Sequence, residues 1–285
     1  MCVTAFYFNS NASPGSFKFV LVFNRDECYS RPTQPASFWQ DTDIIAGRDL
    51  EVGKEGGTWL GVNKNGKVAF LLNIFNVQGP NPQAKGRGSL VSNFLVGDKS
   101  PEEYLQEVSK DGDLYNPFKL TCIDLSKNGE AGYYSNKITE TPCRLEAGFH
   151  GCSNSGLKKP WPKASYVKSH LEELVTSYST AEEDKLIEKL FEVFSNDSRI
   201  DGHEFDLPAN ITLETSAEVF QEVLPHLIMV KTPFYGTRST TVVAVKDNNE
   251  AIFVEKYLEE PIVASNYQWK TKQYRFTMGL EICAL

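Results

Sequence analysis

The chain reads as an α+β protein, a layered sandwich of mainly antiparallel sheets, and three observations predict it. Turn signals flanked by β-rich runs occur towards both ends, helix-spaced apolar residues occupy the middle, and strands and helices do not alternate as βαβ units would require. No linker or internal repeat divides the sequence, so its 285 residues are expected to form a single domain, 1–285.

In chain order, Cys2–Phe8 is an aromatic strand and Phe17–Arg25 a second, joined by a turn near Ser13. Asn65-Gly66, a pair suited to positive φ, joins Thr58–Lys64 to Lys67–Asn73. Ser89–Val96 forms a short helix behind Gly86-Arg87-Gly88, and Ser100-Pro101-Glu102-Glu103 opens another, with a capping serine and a proline in the first turn. Asn128-Gly129 joins Leu120–Lys127 to Glu130–Tyr134, and a further strand ends near Asn154. Ala164, Val167, Leu171, Leu174, Val175 and Tyr178 recur at helical spacing, as do Leu186, Ile187, Leu190, Phe191 and Phe194. Thr180 with Glu183, and Thr215 with Glu218, have capping-box spacing. Asp247-Asn248-Asn249 joins Ser239–Lys246 to Ala251–Tyr257.

A formal charge of −8 argues against a nucleic-acid-binding surface, which needs a basic stripe. No apolar run reaches the roughly 20 residues that span a bilayer, and the start lacks a signal peptide's basic and apolar regions, so a cytoplasmic location is expected. Six cysteines without a CxxC pair suggest reduced thiols rather than a disulfide framework, and no metal site is expected.

Cys2 follows Met1 directly. Removal of Met1 would give one residue both a thiol nucleophile and an α-amine to serve as its base. With the first turn near Ser13, antiparallel register sets Cys2 opposite Asn24 and diagonal to Arg25, whose guanidinium would lower the thiol pKa, while Asp26 or Glu27 orients the amine. In the second hairpin Asn73 falls opposite Thr58, beside Trp59, and its amide would donate to an oxyanion, as would that of Asn154. Thr58 and Trp59 then count as ligand contacts, although Trp59 also suits the core. Arg238, before a late strand, would serve an anionic substrate group. Arg87, between Gly86 and Gly88 at a helix start, would offer a carboxylate or phosphate a guanidinium and free N–H groups; a solvated arginine in a glycine-rich loop is the equally weighted alternative.

Several of these motifs together resemble the NRDE-motif family of transport and Golgi organisation 2 proteins: Met1-Cys2, Asn24-Arg25-Asp26-Glu27, the run Gly53 to Gly61, Gly86-Arg87-Gly88, Ser153-Asn154 and Tyr235-Gly236-Thr237-Arg238. The resemblance implies a four-layer α-β-β-α sandwich like that of Ntn hydrolases. The bile-salt-hydrolase and penicillin-acylase branch is a more distant comparison, similar in its pattern to Cys2, Arg25, Asp26, Asn73 and Asn154, except that its acid lies several residues beyond the arginine. It also implies intracellular haem trafficking, with haem a transported ligand rather than a required cofactor, haem-acceptor proteins as partners, and association with mitochondria or the Golgi. The alternative function is an N-terminal-cysteine amidohydrolase or acyltransferase acting on a non-peptide C–N or thioester bond, with a link to lipid metabolism.

Overall fold

Two antiparallel sheets stack face to face, and each carries two of the described helices on its outer side. The computed structural model describes residues 2–40, 42–74, 81–126, 129–155, 160–200 and 224–279. The first sheet contains β1 (Val3–Phe8), β2 (Phe17–Cys28), β10 (Gly148–Ser153), β11 (Tyr235–Lys246), β12 (Glu250–Leu258) and β13 (Trp269–Thr277), in the order β10-β1-β2-β11-β12-β13. The second runs in sequence order through β3 (Thr33–Phe38), β4 (Ile44–Asp49), β5 (Leu60–Asn63), β6 (Lys67–Asn73), β7 (Phe118–Asp124), β8 (Glu130–Ser135) and β9 (Cys143–Arg144). Helices α1 (Gly88–Val96) and α2 (Pro101–Lys110) cover the second sheet, while α3 (Pro162–Ser177) and α4 (Glu183–Phe194) cover the first.

Three apolar clusters fill the spaces between these layers. Phe6, Phe8, Phe19, Leu21 and Phe23 meet Leu60, Val62, Phe70 and Leu72 between the sheets. Val20, Val22 and Val242 meet Leu171, Leu190 and Phe191 under α3 and α4, and Ala69, Leu71 and Leu120 meet Phe94 and Leu105 under α1 and α2. The predicted four-layer α-β-β-α sandwich is the observed one. Strand β2 is apolar at both odd and even positions because both of its faces are covered, as expected for a central strand.

Helix boundaries follow the capping chemistry. Ser100 accepts from the Glu103 N–H while the Glu103 carboxylate accepts from the Ser100 N–H. The second capping box forms between Ser179 and Glu182, one residue earlier than the predicted Thr180–Glu183 pair. Thr215, Glu218, His203 and Cys283 lie outside the described residues.

Both predicted hairpin registers shift by one residue. Val3, not Cys2, pairs with Asn24, and Leu60 pairs with Phe70, which aligns Thr58 with Leu72 and leaves Asn73 to pair with Phe118. The side-chain period of a strand is two, so a one-residue shift exchanges the faces. Asn24 therefore points outward under α4, and Arg25 points into the space between the sheets.

Candidate active site

Cys2 stands one residue before β1, partly buried at one end of the inter-sheet core. Continuing the register by one residue places it level with Arg25 on β2 and Asn154 beyond β10. The Asp26 backbone N–H donates to Cys2 Sγ at 3.4 Å. Burial raises the thiol pKa and the Asp26 carboxylate adds to the rise; Arg25 pulls the other way and is outweighed. The predicted lowering by the guanidinium is thus corrected, because desolvation of a thiolate at this depth exceeds the attraction. A nucleophilic Cys2 needs a base.

Arg25 is buried, stacked at 4.0 Å over the Trp59 ring, with Nη1 donating to Thr33 Oγ1 at 3.2 Å. Trp59 reaches that position because Gly47 has no side chain; a Cβ there would lie 2.5 Å from the indole. Trp59 is therefore a wall of the site. Thr58 turns away, its hydroxyl donating to the Leu60 carbonyl at 3.0 Å.

Asp26 occupies the outer face of β2, where Oδ1 accepts from Thr237 Oγ1 at 2.7 Å. Lys163, in the first turn of α3, is fully buried, and burial lowers its pKa while Asp26 and then Cys2 push it back up. Its position is fixed by Gly151 on β10, where a Cβ would come 2.3 Å from the Ala164 carbonyl oxygen, so α3 sits directly on the strand. The sequence carried a signal for Lys163 that the helix periodicity hides: it lies four residues before Val167 on the apolar stripe.

Asn154 and Asn73 are brought together, through a bond different from the expected one. Asn154 Nδ2 donates to the Asn73 backbone carbonyl at 2.5 Å, bridging the two sheets, and Asn154 Oδ1 is buried without a hydrogen-bond partner. The Asn73 side chain is exposed at the end of β6.

Arg238 lines a cavity together with Arg25 and Glu255, and its guanidinium is also bound back to the fold. It is the extra residue of a β-bulge, between Thr237 opposite Asp26 and Ser239 opposite Arg25. Its guanidinium donates to the carbonyls of Cys28 and Arg31 and pairs with Glu260, clamping the turn after β2. Arg87 donates to the Pro117 carbonyl at 2.8 Å; burial pulls its pKa down to about 10, with Glu27 pushing it up and Cys2 among the neighbouring groups. Gly88 serves packing, since its Cβ would lie 2.7 Å from Gly57 Cα; Gly86 meets only the flexible Lys54 side chain.

Two cavities flank the row of Cys2, Arg25 and Asn154. One of about 180 Å³ is walled by Arg25, Trp59, Ser239 and Glu255, and one of about 290 Å³ by Lys119, His150, Cys152 and Ser155. Glu255 is a second residue that sequence reasoning missed. It follows Ala251 and Phe253 on the inward face of β12, where a carboxylate interrupts an apolar alternation. Among the described residues no cluster of His, Cys, Asp and Glu is arranged to hold a metal ion. His150 stacks on Phe6 with Nε2 bonded to the Glu146 carbonyl, and His170 stacks on Tyr166 with Nδ1 bonded to the Tyr166 carbonyl.

Comparison with known proteins gives a family match over most of the chain. The Transport and Golgi organisation 2 family model matches residues 1–260. A Homo sapiens protein named Transport and Golgi organization protein 2 homolog is 36% identical, covering 98% of this chain and 99% of its own length. The Drosophila melanogaster Transport and Golgi organization protein 2 is 30% identical over 90% of this chain and 92% of its own. Among solved structures, a Caenorhabditis elegans N-acylethanolamine-hydrolyzing acid amidase ortholog aligns with a TM-score of 0.47 at 13% identity, covering 85% of this chain and 92% of that one. No described helix is long and apolar enough to cross a membrane.

Proposed function

The chain belongs to the Transport and Golgi organisation 2 family, and from that premise we propose that its chemistry is acyl transfer from an amide or thioester, with Cys2 as the nucleophile after loss of Met1. The observation that carries this reading is the placement of Cys2 Sγ against the Asp26 N–H, level with the buried Arg25 and with Asn154. The raised thiol pKa gives the freed α-amine a task. The amine takes the thiol proton, Sγ attacks the carbonyl carbon, and Asp26 holds the resulting ammonium. Asn154 retains a second amide hydrogen beyond the one given to the Asn73 carbonyl and supplies the oxyanion donor, whereas the Asn73 side chain shares the outer face of its sheet with Phe118 and is not part of the donor set. Collapse expels the amine or thiol, which receives the proton, and water then cleaves the acyl-Cys2 thioester to restore the free thiol.

Intact mass of the protein purified from its own cells tests the first requirement, since retained Met1 leaves no α-amine base. Incubation with a small activated ester tests the second. An acyl adduct on the Cys2 peptide, lost in Cys2→Ala, is the expected result, and acylation confined to surface residues refutes it.

A second reading, haem binding and trafficking, draws on the family membership and on the arginine-walled cavity as a seat for a propionate. These two cavities, formed by described residues, have volumes of about 180 and 290 Å³, at or below the lower end for small-molecule sites. A cytoplasmic location with association to mitochondria or the Golgi, and transfer to haem-acceptor proteins, belong to this reading. Haemin titration followed by transfer to an apo-acceptor distinguishes it from acyl transfer; absence of both binding and transfer removes it.

A further inference from the structure

Acyl transfer as proposed gives no task to Glu255. This carboxyl is almost fully buried, faces the inter-sheet space, and accepts from the Ala36 N–H at 2.6 Å. That contact explains its place in the fold, since β3 is irregular between Gln34 and Ser37, around Pro35, and the Ala36 N–H finds its acceptor on β12 instead. It does not explain why an acid was used where a glutamine carbonyl would accept the same hydrogen.

The 180 Å³ cavity offers a reason. Its wall carries Arg25, whose Nη1 alone is engaged with Thr33. Directly across from Arg25 on β11 stands Ser239, also on the wall; its buried Oγ faces the Glu255 carboxyl as an acceptor. A hydroxyl that leans on a carboxylate can give its hydrogen to another acceptor once that carboxyl is protonated, and here it lines an open space beside a guanidinium. The other charged groups around the carboxyl are committed or oppose one another. Arg238 on β11 is spent on the Cys28 and Arg31 carbonyls and on Glu260, and Lys272 on β13 adds a weaker attraction than Arg25. Tyr274 on β13 donates to the Ala36 carbonyl, while Tyr257 and Glu259 line the cavity from β12 and its end.

We propose that this cavity binds the carboxylate of a small organic acid or of an acid-bearing substrate arm, and that Glu255 takes up one proton when it does so. Arg25, Ser239 Oγ and the protonated Glu255 then supply three donors to one carboxylate. Burial already pushes Glu255 up to about 7, against the Ala36 N–H and Arg25, so the proton is available near neutrality. A second carboxylate alongside raises its affinity for that proton further. This rests on the site described above for orientation, since Arg25 separates the cavity from Cys2, but binding itself does not require the thiol.

The test uses Cys2→Ala protein, so that loss of acyl transfer and loss of carboxylate binding are read separately. Propionate is titrated calorimetrically, with propionamide as the neutral control of the same shape. Propionate is expected to bind about tenfold more weakly at pH 8 than at pH 6, as one linked proton requires. Calorimetry in two buffers of different ionisation enthalpy should show net proton uptake near pH 7. Glu255→Gln keeps both the acceptor for Ala36 and an amide donor, so binding persists but loses its pH dependence. Absence of propionate binding, equal binding of propionamide, or pH-independent binding by the Cys2→Ala protein with Glu255 intact each overturns the proposal, even if the glutamine variant does not fold.

Discussion

Replacing Asn24 by leucine, a near match in size, tests the division of labour within Asn24-Arg25-Asp26-Glu27. Asn24 is fully buried; Nδ2 donates to the Phe194 carbonyl at 2.9 Å and the Ile228 carbonyl at 3.0 Å, and Oδ1 accepts from Thr240 Oγ1 at 2.6 Å. One side chain thus ties β2 to the last residue of α4, to the segment before β11 and to β11 itself. Leucine leaves two carbonyls and a hydroxyl without this partner, at about 1–3 kcal/mol each, offset in part by burial of an apolar side chain. The net cost is about 3–5 kcal/mol, a large share of the stability of an ordinary domain. Urea denaturation monitored by tryptophan fluorescence and far-UV circular dichroism measures it, with the midpoint falling at constant slope. A loss below about 1 kcal/mol would refute the assignment of Asn24 to architecture. Cys2 in the folded fraction should keep its reactivity, because Asn24 faces away from the inter-sheet space.

The remaining expectations concern three other positions. Gly88→Ala places a methyl 2.7 Å from Gly57 Cα, and since both are backbone neither can yield; a loss of about 1–3 kcal/mol is expected in thermal unfolding, and an unchanged melting temperature would mean that the Gly86-Arg87-Gly88 segment is not packed here. Glu255 holds a proton in the folded chain up to about pH 7 that the unfolded chain releases near 4.5, so the folded state loses stability as pH rises through that window. The gap corresponds to about 3 kcal/mol, and Glu255→Gln should gain that much on the unsubstituted protein between about pH 4 and pH 8 in parallel urea titrations; a constant difference across pH refutes it. Lys163→Met removes a positive charge that favours the Cys2 thiolate, so the pH profile of Cys2 alkylation by iodoacetamide should move up by about one unit, and an unmoved profile separates Lys163 from the site.

The layers were legible in the sequence because their signals are local. Asn65-Gly66 marks a turn wherever it stands, and Gly66 indeed adopts φ 93°, while Ser100 and Glu103 cap the same helix turn in any tertiary context. Register was not legible. Phe17, Phe19, Leu21 and Phe23 are apolar, but so are Val20 and Val22, because β2 is covered on both faces. Without a polar side there is no alternation to fix which residues share a face. The connection from Phe8 to Phe17 is too long for its centre to be read from turn chemistry, so a one-residue error carries no visible penalty.

That error decides the chemistry. Register pairs residues whose side chains share a face, so Cys2 opposite Asn24 would have put the guanidinium of Arg25 on the far side of the sheet from the thiol. The observed pairing of Val3 with Asn24 reverses this, and a second irregularity, the bulge at Arg238, sets that cation both on the cavity wall and as a clamp on the turn after β2. The buried ionisable residues Lys163 and Glu255 were hidden for a related reason. Each occupies the apolar phase of its element, where the pattern calls for a hydrophobic side chain, and a charge read against that phase looks like noise in the period. Physically it is the reverse: a charge that burial penalises persists at such a position only when neighbouring groups stabilise it. Asp26 and Cys2 do so for Lys163, and the Ala36 N–H and Arg25 for Glu255. Both residues approach the same end of the sheet from opposite faces, so two buried ionisable groups lie within reach of one thiol and one guanidinium.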